Sequence, residues 1–420
     1  MPTNMSGPAR THAFDNVPCP FCGLLCDDLR VETTDGAATV VANGCAKSRA
    51  MFAADAANGA SAMVDGKPVD LATAIGRAAH ILRAAHRPLL ISAGTDVAGM
   101  RALIELAEHC DASLDHVNAD TLMRNLRVLQ TTGWISTTLT EVRNRADLLV
   151  VAGTDITRRF PRFFERFFGE FETLFDVGAR ELWFLGAVPD GLPAGLRSRT
   201  RSLAVEPDRL AELFSALRAL CSGHAFSEEK IAGVPAGLLG ELFGRIRVAR
   251  YGVLAWVAAD LAFPHADLAI QAMCEFVMKL NAQQRFSVLP LGGSDADLTA
   301  QQVTTWQTGF PVRVNFSSGA PAEDPARHGE ADAMLFVCAL DARRTAPSGD
   351  VPSIVLGRAG MRAEVCSVFI PVSVPGLHHA GHLYRADNVV AVHLRKLTGS
   401  ALPTAAQALQ RILDTIREPH

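Results

Sequence analysis

Apolar positions recur along this chain in two rhythms: short continuous runs, and segments in which an apolar residue returns every third or fourth place. After a polar leader, residues 17–65 carry few helical signals. Within them LRVETTDGAATVVANG (29–44) brackets Asp35-Gly36, which predicts two strands joined by a hairpin turn. Asp70 then predicts the cap of a helix with Leu71, Ile75, Ala78 and Leu82 on one face. LLISAG (89–94), SLDHV (113–117), ADLLVVAGTD (146–155) and ELWFLG (181–186) read as buried strands, with helix-like VAGMRALIELAEHC (97–110) between the first two. The helical segment 203–221 precedes a second series: YGVLAWVA (251–258), FSVLPLG (286–292), ADAMLFVCAL (331–340), PSIVLG (352–357) and EVCSVFIPV (364–372). An amphipathic helix is expected within 400–419.

Fully apolar strands separated by amphipathic helices are the signature of parallel sheets covered on both faces. The pattern predicts an α/β protein: two doubly wound, mostly parallel-sheet domains behind a small N-terminal cysteine lobe. The expected boundaries are 1–65 for the leader and lobe, 66–205 and 206–399 for the two α/β domains, and 400–420 for the C-terminal helix. No period of 20–50 residues is visible, so a repeat architecture is excluded.

Composition narrows the function classes. A length of 420 residues suits two or three domains, and 49% hydrophobic with 20% charged residues excludes a largely disordered chain. Forty basic residues against forty-four acidic ones leave a net charge of −4, which gives no nucleic-acid footprint. No apolar run approaches the roughly 20 residues of a membrane span, and the leader lacks the apolar core of a secretory signal. A cytoplasmic protein with neither nucleic acid nor membrane as partner is expected.

The sharpest chemical motif is Cys19-x2-Cys22-x3-Cys26-x18-Cys45. Four thiolates suit a [4Fe–4S] cluster or a tetrahedral zinc, and an empty vestigial site is the third reading. Cys110, Cys221, Cys274, Cys338 and Cys366 are scattered in apolar settings and read as small buried hydrophobes. A second motif follows the strand end Gly153-Thr154-Asp155: Arg158, Arg159, Arg162 and Arg166 are interleaved with Phe160, Phe163, Phe164, Phe167 and Phe168. Doubly wound sheets place ligands at such strand ends, and arginines hold anions bidentately. The competing reading is a solvated helix face over an aromatic underside. His378, His379 and His382 read as a polar loop or, less favourably, a shared metal site. Gly292-Gly293-Ser294-Asp295 is weak as a phosphate cradle, and no Walker lysine, GxSxG elbow or HExxH helix occurs.

Over nearly its whole length the sequence resembles the B-subunit of formylmethanofuran dehydrogenase, a molybdopterin oxidoreductase-like family. CPFCGLLCDD (19–28) with Cys45 and its following basic residues is similar to that family's cluster signature. VRNRADLLVVAGTD (142–155) with Pro161-Arg162, TWQTGFPVRVNFSSGAP (305–321) and LYRADNV (383–389) resemble further family blocks.

The resemblance breaks where catalytic members place a metal-binding Cys or selenocysteine in a Cys-His-Gly-Pro element. Here residues 119–125 read Ala-Asp-Thr-Leu-Met-Arg-Asn. A family outline without its metal ligand resembles the B-subunits of bacterial formyltransferase/hydrolase complexes. That resemblance implies a non-redox component of an enzyme complex in tetrahydromethanopterin-linked one-carbon oxidation. Its implied partners are the other complex subunits and a methanofuran-like polyglutamate carrier, held by Arg158, Arg159, Arg162 and Arg166, with no molybdopterin. The alternative is a catalytic dehydrogenase component with a non-cysteine ligand such as Asp120.

Overall fold

The computed structural model describes residues 11–54, 60–319, 321–323, 328–346, 350–362 and 366–418. The first ten leader residues lie outside them, as do Ala320, Glu364, Val365 and Pro419 of the segments expected above.

The chain forms two α/β units: residues 1–119 with 293–420, and residues 120–292. The first contains a sheet whose parallel centre runs in the order Ser113–His116, Pro88–Ser92, Ala333–Cys338, Ser353–Arg358, Val368–Val372. Short antiparallel strands, including Val314–Asn315 and Ala62–Val64, extend its edges. Its order reverses between Pro88–Ser92 and Ala333–Cys338, which makes the carboxyl ends of those two strands the natural ligand position. Helices Leu71–Ala84, Val97–His109 and Ala405–Arg417 cover the sheet through Ile75, Leu82, Leu103, Leu409 and Ile412. Asp70 caps the first of these by accepting from the Thr73 N–H, and Thr404 with Gln407 completes a capping box on the last.

The second unit holds five parallel strands in the order Thr200–Leu203, Glu181–Leu185, Leu148–Ala152, Gly252–Val257, Phe286–Leu291. Its reversal falls between Leu148–Ala152 and Gly252–Val257. Helices Leu210–Cys221, Ala236–Val248 and Ala266–Leu280 bury Phe214, Leu242 and Phe276 in its core.

The N-terminal lobe is an antiparallel sheet of Thr11–Val17, Leu29–Thr34 and Ala37–Ala42, followed by helix Ala46–Ala53. Asp35 and Gly36 both take positive φ, as a two-residue hairpin turn requires. The lobe docks on the first unit through Arg358, which is 1% exposed. Its guanidinium donates to the carbonyls of Met51 (2.7 Å), Ala54 (3.1 Å) and Leu340 (3.1 Å), and lies over the Phe21 ring.

The doubly wound character matches the sequence expectation, but the contact-dense units divide at 119/120 and 292/293 instead of near 205. Strands Ala333–Cys338, Ser353–Arg358 and Val368–Val372 join the sheet of the early strand Pro88–Ser92, the first of them pairing with it directly, while Gly252–Val257 and Phe286–Leu291 join the sheet of Leu148–Ala152. Strands buried on both faces are alike in sequence, so their partners across the chain are not written in the local pattern.

Candidate functional site

The arginine motif is split by the fold. Strand Leu148–Ala152 is buried throughout and ends at Gly153, whose φ of +61° turns the chain into helix Ile156–Arg159. Asp155 caps that helix, accepting from the Arg158 N–H at 3.1 Å. Arg158 and Arg159 thereby reach a cavity of about 960 Å³ at the carboxyl ends of the strands, lined also by Gly186, Ser202, Arg209 and Asp260. Asp260 Oδ1 accepts from Arg158 Nη2 at 3.1 Å and from Arg159 Nε at 2.9 Å, while its Oδ2 accepts from the Thr154 hydroxyl. Two guanidiniums thus share one carboxylate.

Arg162 and Arg166 are not among the residues lining that cavity. Arg162 is buried, with its Nε 3.0 and 3.1 Å from the Glu165 carboxylate oxygens. Arg166 is half-buried and lies over the Phe167 ring. The five phenylalanines of the motif are all buried. The aromatic half of the motif is core, and Asp260 and Thr154 are its unforeseen companions. The sequence does place Thr154 at the strand end, but Asp260 arrives from the turn after a strand far along the chain.

The four motif cysteines share one lobe. The Cys19 N–H donates to the Cys26 carbonyl at 2.8 Å, and Cys45 caps helix Ala46–Ala53, its Sγ accepting from the Ser48 N–H at 3.4 Å. Burial pushes the Cys19 thiol well above the usual range, with Cys22, Cys26 and Cys45 adding to the rise. The Cys22 thiol is also raised, again by burial. Yet among the described residues no group of three or more His, Cys, Asp or Glu side chains is arranged to hold a metal ion. The donor set is that of a soft-metal site.

The histidine cluster also separates. His378 Nδ1 accepts from the Val374 N–H at 3.0 Å, and His379 Nδ1 lies 2.9 Å from the Ser373 hydroxyl. His382 belongs to a strand and faces His393 instead. The polar-loop reading fits the first two. Of the scattered cysteines, Cys274 and Cys338 are buried with thiols pushed up to about 12 by burial, and are inert at neutral pH.

A polar cluster that sequence reasoning passed over sits at the reversal point of the first unit. His116 Nδ1 accepts from the Asn118 N–H at 3.0 Å, and its Nε2 lies 3.1 Å from the Asp295 carbonyl. That pattern requires the neutral imidazole, and burial lowers its pKa to about 4. Asn118 Nδ2 donates to the Ser294 carbonyl at 3.0 Å and lies 3.3 Å from Asp297 Oδ2. Asp297 Oδ1 accepts from the Gly293 N–H at 2.6 Å, and burial raises its carboxyl to about 7. Arg344 Nε closes the cluster on Asp295 Oδ1 at 3.0 Å. The weak GGSD signal is the only trace of it in the sequence.

Among the described residues no helix is long and apolar enough to cross a membrane. No family model matches the chain. It is 29% identical over 405 residues to the B-subunit of the tungsten-containing formylmethanofuran dehydrogenase 2 of Methanocaldococcus jannaschii, covering 91% of this chain and 93% of that one. It is 28% identical over 382 residues to the B-subunit of the formyltransferase/hydrolase complex of Methylorubrum extorquens, covering 85% and 98%. A chain in the X-ray crystal structure of that complex with methylofuran matches with a TM-score of 0.74 at 28% identity, over 85% of this chain and 98% of that chain.

Proposed function

We propose, from this chain's place in the family of formylmethanofuran dehydrogenase B-subunits, that it is a non-redox component of a formyltransferase/hydrolase complex and helps hold a methanofuran-like carrier. The observation that carries the reading is local: residues 119–125 hold no Cys-His-Gly-Pro element, and Asp120 stands in the first turn of helix Ala119–Thr131. A metal-pterin enzyme needs its protein to orient the cofactor and commonly to supply an axial ligand.

In this reading the other subunits of the complex are the partners, and a cytoplasmic location goes with them. The carrier's polyglutamate tail is a polyanion, and Arg158 and Arg159 at their cavity are the pair that would hold it. Arg162 and Arg166 do not line that cavity and take no part in the holding. Cys19, Cys22, Cys26 and Cys45 would take a [4Fe–4S] cluster or zinc as a clamp on the lobe, since without a redox centre there is no electron to relay.

A second reading, a tungsten-pterin dehydrogenase component with Asp120 as ligand, is favoured by the tungsten-containing relative. Metal and pterin analysis of the purified complex, paired with viologen-dye reduction by formylated carrier, separates the two. The proposal expects formate release without dye reduction and without stoichiometric molybdenum, tungsten or pterin. One metal-pterin per chain together with dye reduction would replace it with the dehydrogenase.

A further inference from the structure

Two histidines that play no part in the sites above face each other across the hairpin of Gly381–Tyr384 and Ala391–Leu394. His382 and His393 are direct cross-strand partners, and both are exposed. Nε2 of His382 stands 3.3 Å from Nδ1 of His393, with ring centroids 4.9 Å apart and planes inclined by 55°.

That separation is long for a hydrogen bond from a ring N–H, which prefers about 2.9–3.0 Å. It is, however, the spacing of two nitrogens on one tetrahedral ion. Two bonds of about 2.0–2.1 Å enclosing the tetrahedral angle span about 3.3–3.4 Å. Both imidazoles are exposed, so each ring is free to turn about its Cβ–Cγ bond toward a shared ion.

The hairpin holds this pair in place before any ion arrives. The Tyr384 N–H donates to Thr299 Oγ1 at 2.9 Å, the Tyr384 ring meets Trp306 edge to face, and the Arg385 N–H closes on the Val390 carbonyl at 2.9 Å. On the second strand's side, Arg395 donates to the Asp15 carbonyl at 2.9 Å. Both strands are therefore anchored to neighbouring structure, and little ordering remains to oppose binding.

We propose that His382 and His393 form a two-point site for a late first-row divalent ion, with nickel, zinc and copper the suitable class. Imidazole nitrogen suits these ions, whereas magnesium and calcium require oxygen ligands. Two protein ligands leave the remaining positions open to water. The site is separate from the four cysteines in donor type and in sequence, and does not depend on the functional reading above.

The test is calorimetric titration of nickel alone into the untagged full-length chain and four variants. His382→Ala and His393→Ala should each lower nickel affinity at the histidine site at least tenfold, while His12→Ala leaves it unchanged and Cys22→Ser removes only nickel held by the cysteines. Far-ultraviolet circular dichroism confirms that each variant is folded. If the imidazoles only hydrogen-bond across the hairpin, His382→Ala lowers the unfolding temperature and leaves nickel affinity at the wild-type value, which overturns the proposal. Loss of nickel binding in Cys22→Ser but in neither histidine variant overturns it as well.

Discussion

A Cβ placed on Gly293 would stand 2.6 Å from the Cα of Gly23. The cysteine loop therefore lies backbone against backbone on the turn that opens the polar cluster. Gly293 meets the requirement twice, since its φ of +91° is itself a conformation that side chains avoid. Around this contact the Ala386 N–H donates to the Gly23 carbonyl at 2.6 Å, so a third segment pins the same loop. The four-cysteine lobe is thus tied to the carboxyl end of the first sheet.

Gly293→Ala should accordingly destabilise the protein by about 2–4 kcal/mol, from steric overlap with main chain that cannot swing aside plus the left-handed backbone penalty. Urea unfolding measures it. Wild-type stability in this variant would mean that the lobe does not rest on this turn.

Arg358 gives an independent handle on the same docking. Its charge is buried, and three carbonyls take its protons. Arg358→Met keeps much of the bulk but leaves those carbonyls without their donor, at a cost on the order of 3 kcal/mol. Limited proteolysis should then cut within residues 11–54 before the rest of the chain. Uniform cleavage along the chain would assign Arg358 a purely local role.

These two residues show where sequence reading stops. The hairpin at Asp35-Gly36 and the cap at Asp70 are legible because turn and cap chemistry is local. The strands are legible because burial on both faces leaves a continuous apolar run. Which strands pair is not, because Leu335 next to Leu90 and Leu254 next to Val150 are interchangeable as hydrophobes. The site suffers the same loss: Arg158 and Arg159 stand in a visible motif, but Asp260, which both of them share, lies about a hundred residues onward. His382 is visible next to the wrong histidines.

The buried cluster should give the protein a pH dependence of two opposed parts. His116 titrates at about 4 when folded against 6.5 when unfolded, so its contribution to stability falls as pH drops from 6.5 towards 4. Asp297 titrates at about 7 when folded against 3.8, so its contribution falls as pH rises from 3.8 towards 7. In wild type the two slopes offset each other between about pH 4 and 6.5. His116→Gln should remove one part and expose the Asp297 slope, with stability declining relative to wild type as pH rises by on the order of 1 kcal/mol per unit. Asp297→Asn should expose the opposite slope. Unfolding curves between about pH 4.5 and 6.5 that keep the wild-type pH dependence in both variants would show that neither group is held in its buried, uncharged form.

Carrier retention tests the arginine pair, and the geometry makes two variants move in opposite directions. Asp260 accepts from both Arg158 and Arg159, so an incoming carboxylate tail competes with a resident carboxylate for the same donors. Each exposed pairing is worth about 0.2–1 kcal/mol, and two together correspond to a change in affinity of at most about thirtyfold. Arg158→Ala with Arg159→Ala should weaken binding of a polyglutamyl carrier within that range and flatten its salt dependence. Asp260→Asn removes the competitor while preserving a hydrogen-bond acceptor, so it should tighten binding at low salt and steepen the dependence. The Debye length shrinks from about 8 Å at physiological ionic strength to about 3 Å at 1 M, so all three proteins should converge at high salt. Arg162→Ala serves as the contrast: its guanidinium pairs with Glu165 away from the cavity, so it should cost stability and leave the salt profile in place. Identical carrier affinity in wild type, the double variant and Asp260→Asn across the salt range would return the pair to a structural clasp between two strand ends.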